Sequence, residues 1–390
     1  MGKTCNRLLN HLAQVDSAGY VIPCCQFTRE WLEKWEPFNL RNLDTFDNIL
    51  TSDRWNTLQE EMLKEDIPEC RNCWRQEKTG AHSMRQWANQ TEVENPGKLE
   101  SLEIGIDTTC NMMCRICRPG QSSKWYSADS VLTKLHEYQN KNGFQYDKSL
   151  VDTSNSTKLI NALNNTNLTK LKTVRINGGE PFYSKKLLTL LQKIDEDAKI
   201  ENVELSFNTN GSIFPTGKIA DLLHRAKKLR IDFSIDAVGD LATVTRWGVE
   251  WGIIEETIDK WKSNYKNATF GMHSVISLLN INRIKDLYDF SESKNLQWSY
   301  YALSSPEHLS IDQLPVESRK AYLVKFDDKG LTQEIEINDI LINTPYTKKT
   351  EYDFFLEATR LLDNYQGNSF KNVNPEIYNL IEELLKHQCR

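Results

Sequence analysis

Apolar and polar positions alternate with a two-residue period in six separate segments of the chain, which is the pattern of a half-buried β-strand. Segments with the helical spacing of apolar residues lie between them. Strands that alternate with helices in this way form a parallel sheet with right-handed crossovers, so the pattern predicts an α/β fold. The predicted strands are residues 101–107, 171–176, 203–207, 229–235, 269–278 and 296–301. The predicted helices around them are residues 123–137, 185–194, 219–226, 240–261 and 281–292.

The pattern is less regular on either side of this alternating region. Ahead of it, residues 42–50 and 53–63 carry helical periodicity. Behind it, residues 322–326 have the pattern of a strand, and residues 332–337 fit either a strand or the start of a helix. Two amphipathic helices then follow, at residues 352–362 and 376–385. We therefore expect three domains, with boundaries at 1–95, 96–310 and 311–390.

The composition excludes some classes of protein and disfavours others. The mean hydropathy is -0.58, and no apolar run approaches the roughly 18 residues of a membrane span. The first residues lack the apolar segment of a signal peptide, so we expect a cytoplasmic protein. The formal net charge of -6 disfavours a nucleic-acid partner, because polyanion binders are usually basic. Most of the nine cysteines fall in tight groups, which favours metal ligation over disulfides in a chain of this length.

Three thiols stand within eight residues directly after the first predicted strand, at Cys110, Cys114 and Cys117. A [4Fe–4S] cluster is normally held by four thiolates. Three thiolates would leave one iron open to a further ligand. A zinc site or a set of reduced core cysteines is the alternative interpretation of three close cysteines alone.

Five more thiols lie near the N-terminus. Cys5 stands alone, Cys24 and Cys25 follow a predicted turn and short strand, and Cys70 and Cys73 form a C-x2-C motif. A C-x2-C motif by itself suits zinc, a redox disulfide or an iron–sulfur centre. Four of the five thiols are enough to hold a second cluster.

The spacing Cys110-x3-Cys114-x2-Cys117 resembles the signature of the radical SAM enzymes. The family fold is a partial (β/α)6 barrel, which matches the six predicted strand–helix units. In that family the fourth iron of a [4Fe–4S] cluster is chelated by S-adenosylmethionine. The resemblance therefore implies that these three cysteines carry the catalytic cluster.

The N-terminal thiols resemble those of the SPASM/twitch domains, which carry auxiliary [4Fe–4S] clusters in radical SAM enzymes. Such domains usually follow the barrel, whereas here the pattern precedes it. The resemblance implies a second [4Fe–4S] cluster. The helical pattern behind the barrel predicts an α-rich C-terminal extension, which carries no assignable motif. The implied ligands are Cys5, Cys24, Cys70 and Cys73, with Cys25 either in place of Cys24 or free.

Motifs at the ends of later strands resemble further elements of the family. Gly178, Gly179 and Glu180 resemble the motif that contacts the amino group of S-adenosylmethionine, and Arg246 resembles the arginine that pairs with its carboxylate. A turn or capping role is the alternative for these polar side chains. The remaining residues expected at the cofactor are Asn208, Asn210, Ser234, Asp236, Ile116 and Ile276. Position 116 is commonly aromatic in the family, so an isoleucine there loosens the fit to adenine.

The resemblance implies an enzyme that cleaves S-adenosylmethionine reductively and abstracts a hydrogen atom from its substrate through a 5′-deoxyadenosyl radical. The favoured substrate is a peptide or protein that undergoes oxidation, cross-linking or epimerisation, and Cys25 is the candidate thiol donor for an epimerase. A small sugar or nucleoside is the alternative substrate, and a zinc-binding protein with a degenerate barrel is the alternative from another class. An external electron donor such as flavodoxin or ferredoxin is an expected partner. His273 is expected to be structural, and Cys389 an incidental exposed thiol.

Overall fold

The computed structural model describes most of the chain. The described residues are 4–14, 19–27, 35, 37–78, 82–141, 155–347 and 350–388, so Cys389 lies outside them. The strands are β1 His11–Gln14, β2 Val21–Ile22, β3 Ser101–Gly105, β4 Met113–Cys114, β5 Thr173–Asn177, β6 Glu204–Thr209, β7 Lys228–Ser234, β8 Arg246–Trp247, β9 Thr269–Ile276 and β10 Gln297–Ala302. Among the helices of these residues, none combines the length and apolar character that a membrane crossing requires.

The helices alternate with the strands in the middle of the chain and dominate its last part. They are α1 Arg7–Asn10, α2 Asp53–Lys64, α3 Arg71–Lys78, α4 Met84–Ala88, α5 Asp129–Lys141, α6 Asn155–Asn164, α7 Leu187–Ala198, α8 Gly217–Arg225, α9 Gly239–Thr245, α10 Trp251–Asn264, α11 Ile284–Ser293, α12 Val316–Lys320, α13 Leu331–Asn343, α14 Tyr352–Gln366, α15 Phe370–Val373 and α16 Pro375–Gln388. The chain divides into two compact units. The first unit is Met1–Thr109, Ser149–Asn208 and Pro215–Arg230, and the second is Cys110–Lys148, Thr209–Phe214 and Ile231–Arg390.

The first unit is built on parallel strands that the N-terminal segment extends. β3 pairs in parallel with β5, and β5 with β6. β1 adds to the other edge of β3 in parallel, and β2 pairs antiparallel with β1. Alternate residues of these strands, such as Leu102, Ile104 and Phe207, are buried, because successive side chains of a strand point to opposite faces. The intervening positions are polar and form the second face of these strands.

The second unit joins parallel strands to a helical layer. β9 pairs in parallel with β10, and β7 is the other neighbour of β9. A separate antiparallel ribbon forms between β4 and β8. One apolar cluster links strand residues such as Ile276 to the C-terminal helices through Ile337, Phe355 and Ile381. The C-terminal helices therefore belong to the core of this unit.

The six predicted strands are confirmed as β3, β5, β6, β7, β9 and β10, with ends shifted by at most two residues. The helix predicted over 240–261 is divided into α9 and α10 by β8 and by Gly248, whose φ is +129°. The segment 332–337 lies within helix α13, which decides between the two alternatives for it.

Two predicted elements are wrong. Residues 42–50 form turns rather than a helix, since the Thr45 hydroxyl accepts from the backbone N–H of Asp47 and competes with helical hydrogen bonds. Residues 322–326 form no strand: the side-chain amide of Asn338 bonds both the N–H and the carbonyl of Val324 at 2.9 Å. That segment is therefore tied to α13 by side chains.

Candidate active site

The first thiol of the loop after β3 is surrounded by hydrogen-bond donors. Cys110 is buried, and its Sγ accepts from the backbone N–H of Met112 at 3.4 Å. The amide Nδ2 of Asn210 lies 3.9 Å from the same sulfur. The N–H of Cys110 donates to Ser123 Oγ at 3.2 Å. Donors aimed at a sulfur favour the thiolate, which is the form that binds iron.

The other two thiols of the loop form a hydrogen-bonded pair. The N–H of Cys117 donates to the carbonyl of Cys114 at 3.1 Å, which closes a single turn. The thiol hydrogen bond from Cys117 lowers the pKa of Cys114; burial opposes this shift, and the charge of Arg246 supports it. The same thiol hydrogen bond, together with burial, raises the pKa of Cys117. The pair therefore loses its first proton at Cys114, and a bound metal would displace the second.

Arg246 lies beside these thiols because β4 and β8 place it directly opposite Cys114. Its NH1 donates to Asp236 Oδ2 at 2.5 Å, and Asp236 Oδ1 accepts from the N–H of Val275 at 2.8 Å. Burial lowers the pKa of Arg246, but the charges of Cys114 and Asp236 outweigh it and the pKa is raised. The buried Nε of Arg246 has no hydrogen-bond partner within the described part of the chain. A donor suited to an anionic ligand such as a carboxylate is thus present near the thiols.

The side-chain amide of Asn210 is hydrogen-bonded to the cysteine loop. Its Nδ2 donates to Asn111 Oδ1 at 2.9 Å, and its Oδ1 accepts from the N–H of Ser212 at 2.9 Å. Asn111 in turn donates to Ser212 Oγ at 2.9 Å. Asn210 therefore fixes Asn111 between two cysteines, a contact that the sequence did not predict. A Cβ at Gly248 would lie 2.6 Å from the carbonyl oxygen of Asn111, so the loop also requires a glycine there.

Other residues predicted at the cofactor occupy the same unit as the three thiols. Ser234 ends β7, and Ile276 is fully buried near the end of β9. Ile116 is partly buried against the apolar cluster that contains Ile276. An aliphatic residue at position 116 is thus packed on core side chains of its own unit.

In the first unit, the Gly178-Gly179-Glu180 segment is closed against the backbone that leads into the cysteine loop. The N–H groups of Gly179 and Glu180 donate to the carbonyls of Asp107 and Thr109, both at 2.8 Å. A Cβ at Gly179 would lie 2.5 Å from the Thr109 carbonyl oxygen. The side chain of Glu180 is fully buried and accepts from the N–H of Phe182 at 3.1 Å. Because the glycines lack a Cβ, the backbone of residues 107–109 can approach them closely, and Glu180 caps the following turn.

Asn208 makes a further contact in the first unit. Its Oδ1 accepts from NH2 of Arg175 at 3.0 Å, across β5 and β6. Both side chains belong to the polar face of these strands.

Four of the N-terminal thiols interact with one another by charge in the first unit, although no three of them are close enough, within the described part of the chain, to hold a metal ion as they stand. Burial raises the pKa values of Cys5, Cys24 and Cys70, and the negative charges of neighbouring thiolates raise them further. These neighbours include Cys73, which interacts with both Cys5 and Cys70. Cys70 and Cys73 share one side of the turn into α3, as residues three apart do. Buried thiols that repel one another as thiolates suit a cationic metal centre, which deprotonates its ligands.

Cys25 has a different environment from Cys24. Burial raises its pKa to about 11, and the carboxylate of Glu103 contributes by charge and by a hydrogen bond. Arg7 and Arg175 act on it in the opposite direction. Cys25 thus has Glu103 as its main charged neighbour, while it also interacts by charge with Cys24.

An ion pair supports the four-thiol group. Arg85 is buried and donates from Nε and NH2 to the two oxygens of Glu77, at 2.9 and 2.6 Å. Its guanidinium also lies 4.8 Å from the ring centre of Trp74, which follows Cys73. The hydroxyl of Ser83 donates to Glu77 at 2.5 Å. In the sequence these residues simply follow the C-x2-C motif, and nothing in the local pattern indicates that they pair.

Two family models match the chain. The radical SAM superfamily model matches residues 106–291, which begins at the end of β3 and includes the three-thiol loop. The model of the SPASM iron–sulfur cluster-binding domain matches residues 5–74, which includes the four-thiol group. The order of the two domains, with SPASM first, is the order that the sequence predicted.

Known proteins similar to the chain are distant. A GTP 3′,8-cyclase of Desulforamulus reducens is 25% identical over 190 residues, which is 48% of this chain and 48% of the relative. The chain thus spans about half the length of that relative. The solved structure of native anSMEcpe with bound AdoMet and Cp18Cys peptide is 16% identical and covers 61% of each chain, with a TM-score of 0.37. That of Streptococcus suis SuiB bound to precursor peptide SuiA is 14% identical, covers 67% of this chain and 51% of that one, and has a TM-score of 0.32.

Residues 106–291 therefore form a radical SAM superfamily domain, and residues 5–74 form a SPASM domain. A radical SAM domain implies S-adenosylmethionine and a [4Fe–4S] cluster as cofactors, and a SPASM domain implies a further iron–sulfur cluster.

Proposed function

We propose that this enzyme abstracts a hydrogen atom from a peptide or protein substrate and thereby oxidises, cross-links or epimerises it. The observation that carries the proposal is the presence of two sets of cysteines. Cys110, Cys114 and Cys117 lie in one unit, and the four N-terminal cysteines that interact by charge lie in the other. When bound, the catalytic cluster and S-adenosylmethionine supply the 5′-deoxyadenosyl radical. The protein residues orient the cofactor and exclude water around it.

The proposed ligands and contacts follow from the geometry and from the family resemblance. Cys110, Cys114 and Cys117 hold the catalytic cluster, and the free Nε of Arg246 binds the carboxylate of S-adenosylmethionine. The other proposed cofactor contacts are Ile116, Gly178, Gly179, Glu180, Asn208, Asn210, Ser234, Asp236 and Ile276. The proposed auxiliary ligands are Cys5, Cys24, Cys70 and Cys73.

The peptide part of the proposal is supported by the SPASM domain. Radical SAM enzymes with domains of this type often act on peptides or proteins. We also propose a reducing cytoplasmic compartment and an external electron donor of the flavodoxin or ferredoxin kind, because the clustered thiols must stay reduced to bind iron.

The test begins with anaerobic reconstitution of the full chain and a count of iron and sulfide. We expect about eight irons per chain from two four-iron clusters. Wild-type protein with dithionite and S-adenosylmethionine should form 5′-deoxyadenosine, and Cys114→Ser protein should not. Short peptides encoded beside the gene are then incubated with the enzyme and read by mass spectrometry. Zinc without sulfide would overturn the enzymatic proposal, and unmodified peptides would overturn its peptide part.

A second candidate substrate is a nucleoside or nucleotide. It is favoured by the similarity to GTP 3′,8-cyclases, which at 25% identity covers about half of each chain. GTP is therefore the probe of choice beside the peptides. Formation of 5′-deoxyadenosine that depends on GTP, with a new nucleotide product, would favour this candidate over a peptide.

A further inference from the structure

Three polar side chains lie in a row across β7, β9 and β10 in the second unit, with a hydrogen bond between Ser299 and His273 and an ion-pair distance between His273 and Asp232. Nδ1 of His273 is hydrogen-bonded to Oγ of Ser299, its register partner on β10. Nε2 of His273 lies 3.4 Å from Oδ2 of Asp232 on β7. The row thus has the order hydroxyl, imidazole, carboxylate, the arrangement in which a carboxylate orients a histidine that accepts a proton from a hydroxyl.

Burial differs along this row. The Asp232 side chain is 1% exposed, whereas that of His273 is 30% exposed and that of Ser299 is partly exposed. A carboxylate is removed from water only where partners compensate it, and an imidazole that becomes cationic is one such partner. The carboxylate is therefore the buried end of the row, whereas the imidazole and the hydroxyl are both partly exposed.

The row lies on the sheet face that carries the catalytic thiols. Tyr301, two residues beyond Ser299 on β10, shares its face because strand side chains alternate. Burial raises the pKa of Tyr301, and the nearby charges of Asp236 and Cys117 raise it further. Ser299 is thus about 6.6 Å along β10 from a residue beside the cysteine loop. This is the face on which a substrate would meet the cofactor.

We propose that Ser299, His273 and Asp232 form a proton relay that deprotonates a polar X–H group of the substrate, where X is oxygen, nitrogen or sulfur. This inference rests on the proposed modification of a substrate by this enzyme. The X–H bond breaks and its proton joins Ser299 Oγ, while the hydroxyl proton of Ser299 moves to His273 Nδ1. The positive charge on His273 is balanced by Asp232. Ser299 is the residue that meets the substrate, and Asp232 is a positioning residue.

The relay requires one tautomer of His273, and the structure offers a competing arrangement. Ser299 Oγ also lies 3.3 Å from the carbonyl oxygen of Met272. If Nδ1 is unprotonated, the hydroxyl donates to the ring and Nε2–H points at Asp232. If Nδ1 carries the proton, the hydroxyl donates to Met272 instead and the relay cannot accept a proton. The tautomer therefore decides between a relay and a structural contact.

Long-range ¹H–¹⁵N correlation of the full chain, labelled with [¹⁵N]histidine and without added cofactor, tests this directly. His273→Gln identifies the signals of the residue among the seven histidines. In a spectrum recorded at about pH 8.5, we expect a ring that carries its proton at Nε2. Asp232→Asn should shift the ring to the Nδ1–H tautomer, since an amide can donate to Nε2. A wild-type ring protonated at Nδ1, or at both nitrogens, would overturn the relay.

The second measurement is the ratio of modified peptide to 5′-deoxyadenosine in reconstituted enzyme, with the peptide found to be modified by wild-type protein. A general base contributes roughly 10²–10⁴-fold, so His273→Gln should lower the ratio at least about 100-fold, and Ser299→Thr should retain more product than Ser299→Ala. His224→Gln, an exposed position on α8, is the matched control and should keep the wild-type ratio. An unchanged ratio in His273→Gln would refute the relay. If no peptide is modified, the proposed function fails while the tautomer still decides the relay.

Discussion

The guanidinium of Arg115 is buried against the carboxylate of Asp363, 248 positions further along the chain. Arg115 follows Cys114 directly, and Asp363 lies in α14 of the C-terminal helices. Nε of Arg115 donates to the carbonyl of Val244 at 3.1 Å, and NH2 reaches Gln366 Oε1 at 3.2 Å. The C-terminal helices, which carry no recognisable motif, therefore hold the cysteine loop in place.

Asp363→Asn should destabilise the ligand-free protein strongly. Removing one partner of a buried ion pair leaves an uncompensated charge and costs about 3–5 kcal/mol. Glu357→Gln is the matched control on α14, because Glu357 pairs with Arg360 at the surface, where such pairs contribute at most about 1 kcal/mol. Urea unfolding of both variants measures the difference. Equal losses would show that Arg115 is compensated by its other partners.

Gly179→Ala should disturb the approach to the cysteine loop. A Cβ there would lie 2.5 Å from the carbonyl oxygen of Thr109 and 2.6 Å from that of Thr108, and backbone cannot move as a flexible side chain does. We expect a loss of about 1–3 kcal/mol, the usual cost of overpacking. Gly252→Ala in α10 is the control, since nothing lies within 4 Å of its Cβ, and it should be neutral or stabilising by up to about 1 kcal/mol. Thermal unfolding compares the two, and similar melting temperatures would contradict the prediction.

Cys24→Ser and Cys25→Ser should differ in iron content. Cys24 interacts by charge with Cys5, Cys70 and Cys25, whereas the main charged neighbour of Cys25 is Glu103. After anaerobic reconstitution, Cys24→Ser should fall from about eight irons to roughly four, and Cys25→Ser should keep about eight. Iron and sulfide counts measure this outcome. The reverse result would make Cys25 the ligand.

Glu77 should make the stability of the protein depend on acid pH. Burial raises the pKa of Glu77, but hydrogen bonds from Arg85 and Ser83 outweigh it, so the folded pKa lies below the ordinary value of 4.5. A lowered folded pKa contributes stability above the unfolded pKa, and this contribution disappears as pH falls through the folded value. Urea unfolding of wild type and Glu77→Gln should therefore converge below pH 4.5. Ser83→Ala, which removes one donor, should lie between them, and a difference independent of pH would contradict the prediction.

The strands and the position of the cysteine loop could be predicted from the sequence because their signals are local. Period-two alternation in 229–235 and in 296–301 follows from strand geometry, and C-x3-C-x2-C places three thiols on one loop whatever surrounds it. The prediction of a helix over residues 42–50 was wrong because the apolar spacing was present, but a short polar side chain bonds the backbone there instead. The local pattern of apolar residues thus identifies strands and helices, but it does not reveal where side-chain hydrogen bonds to the backbone prevent them from forming.

The sequence by itself determined the class of fold, the cysteine loop and the presence of a second thiol group. Only the tertiary structure showed that Glu103 is the main charged neighbour of Cys25, because the local sequence does not set the direction in which each of two adjacent side chains points. It also decided the Arg115–Asp363 pair and the row of Asp232, His273 and Ser299. These contacts join residues far apart in the chain, and burial, which gives them their strength, exists only once the units are packed.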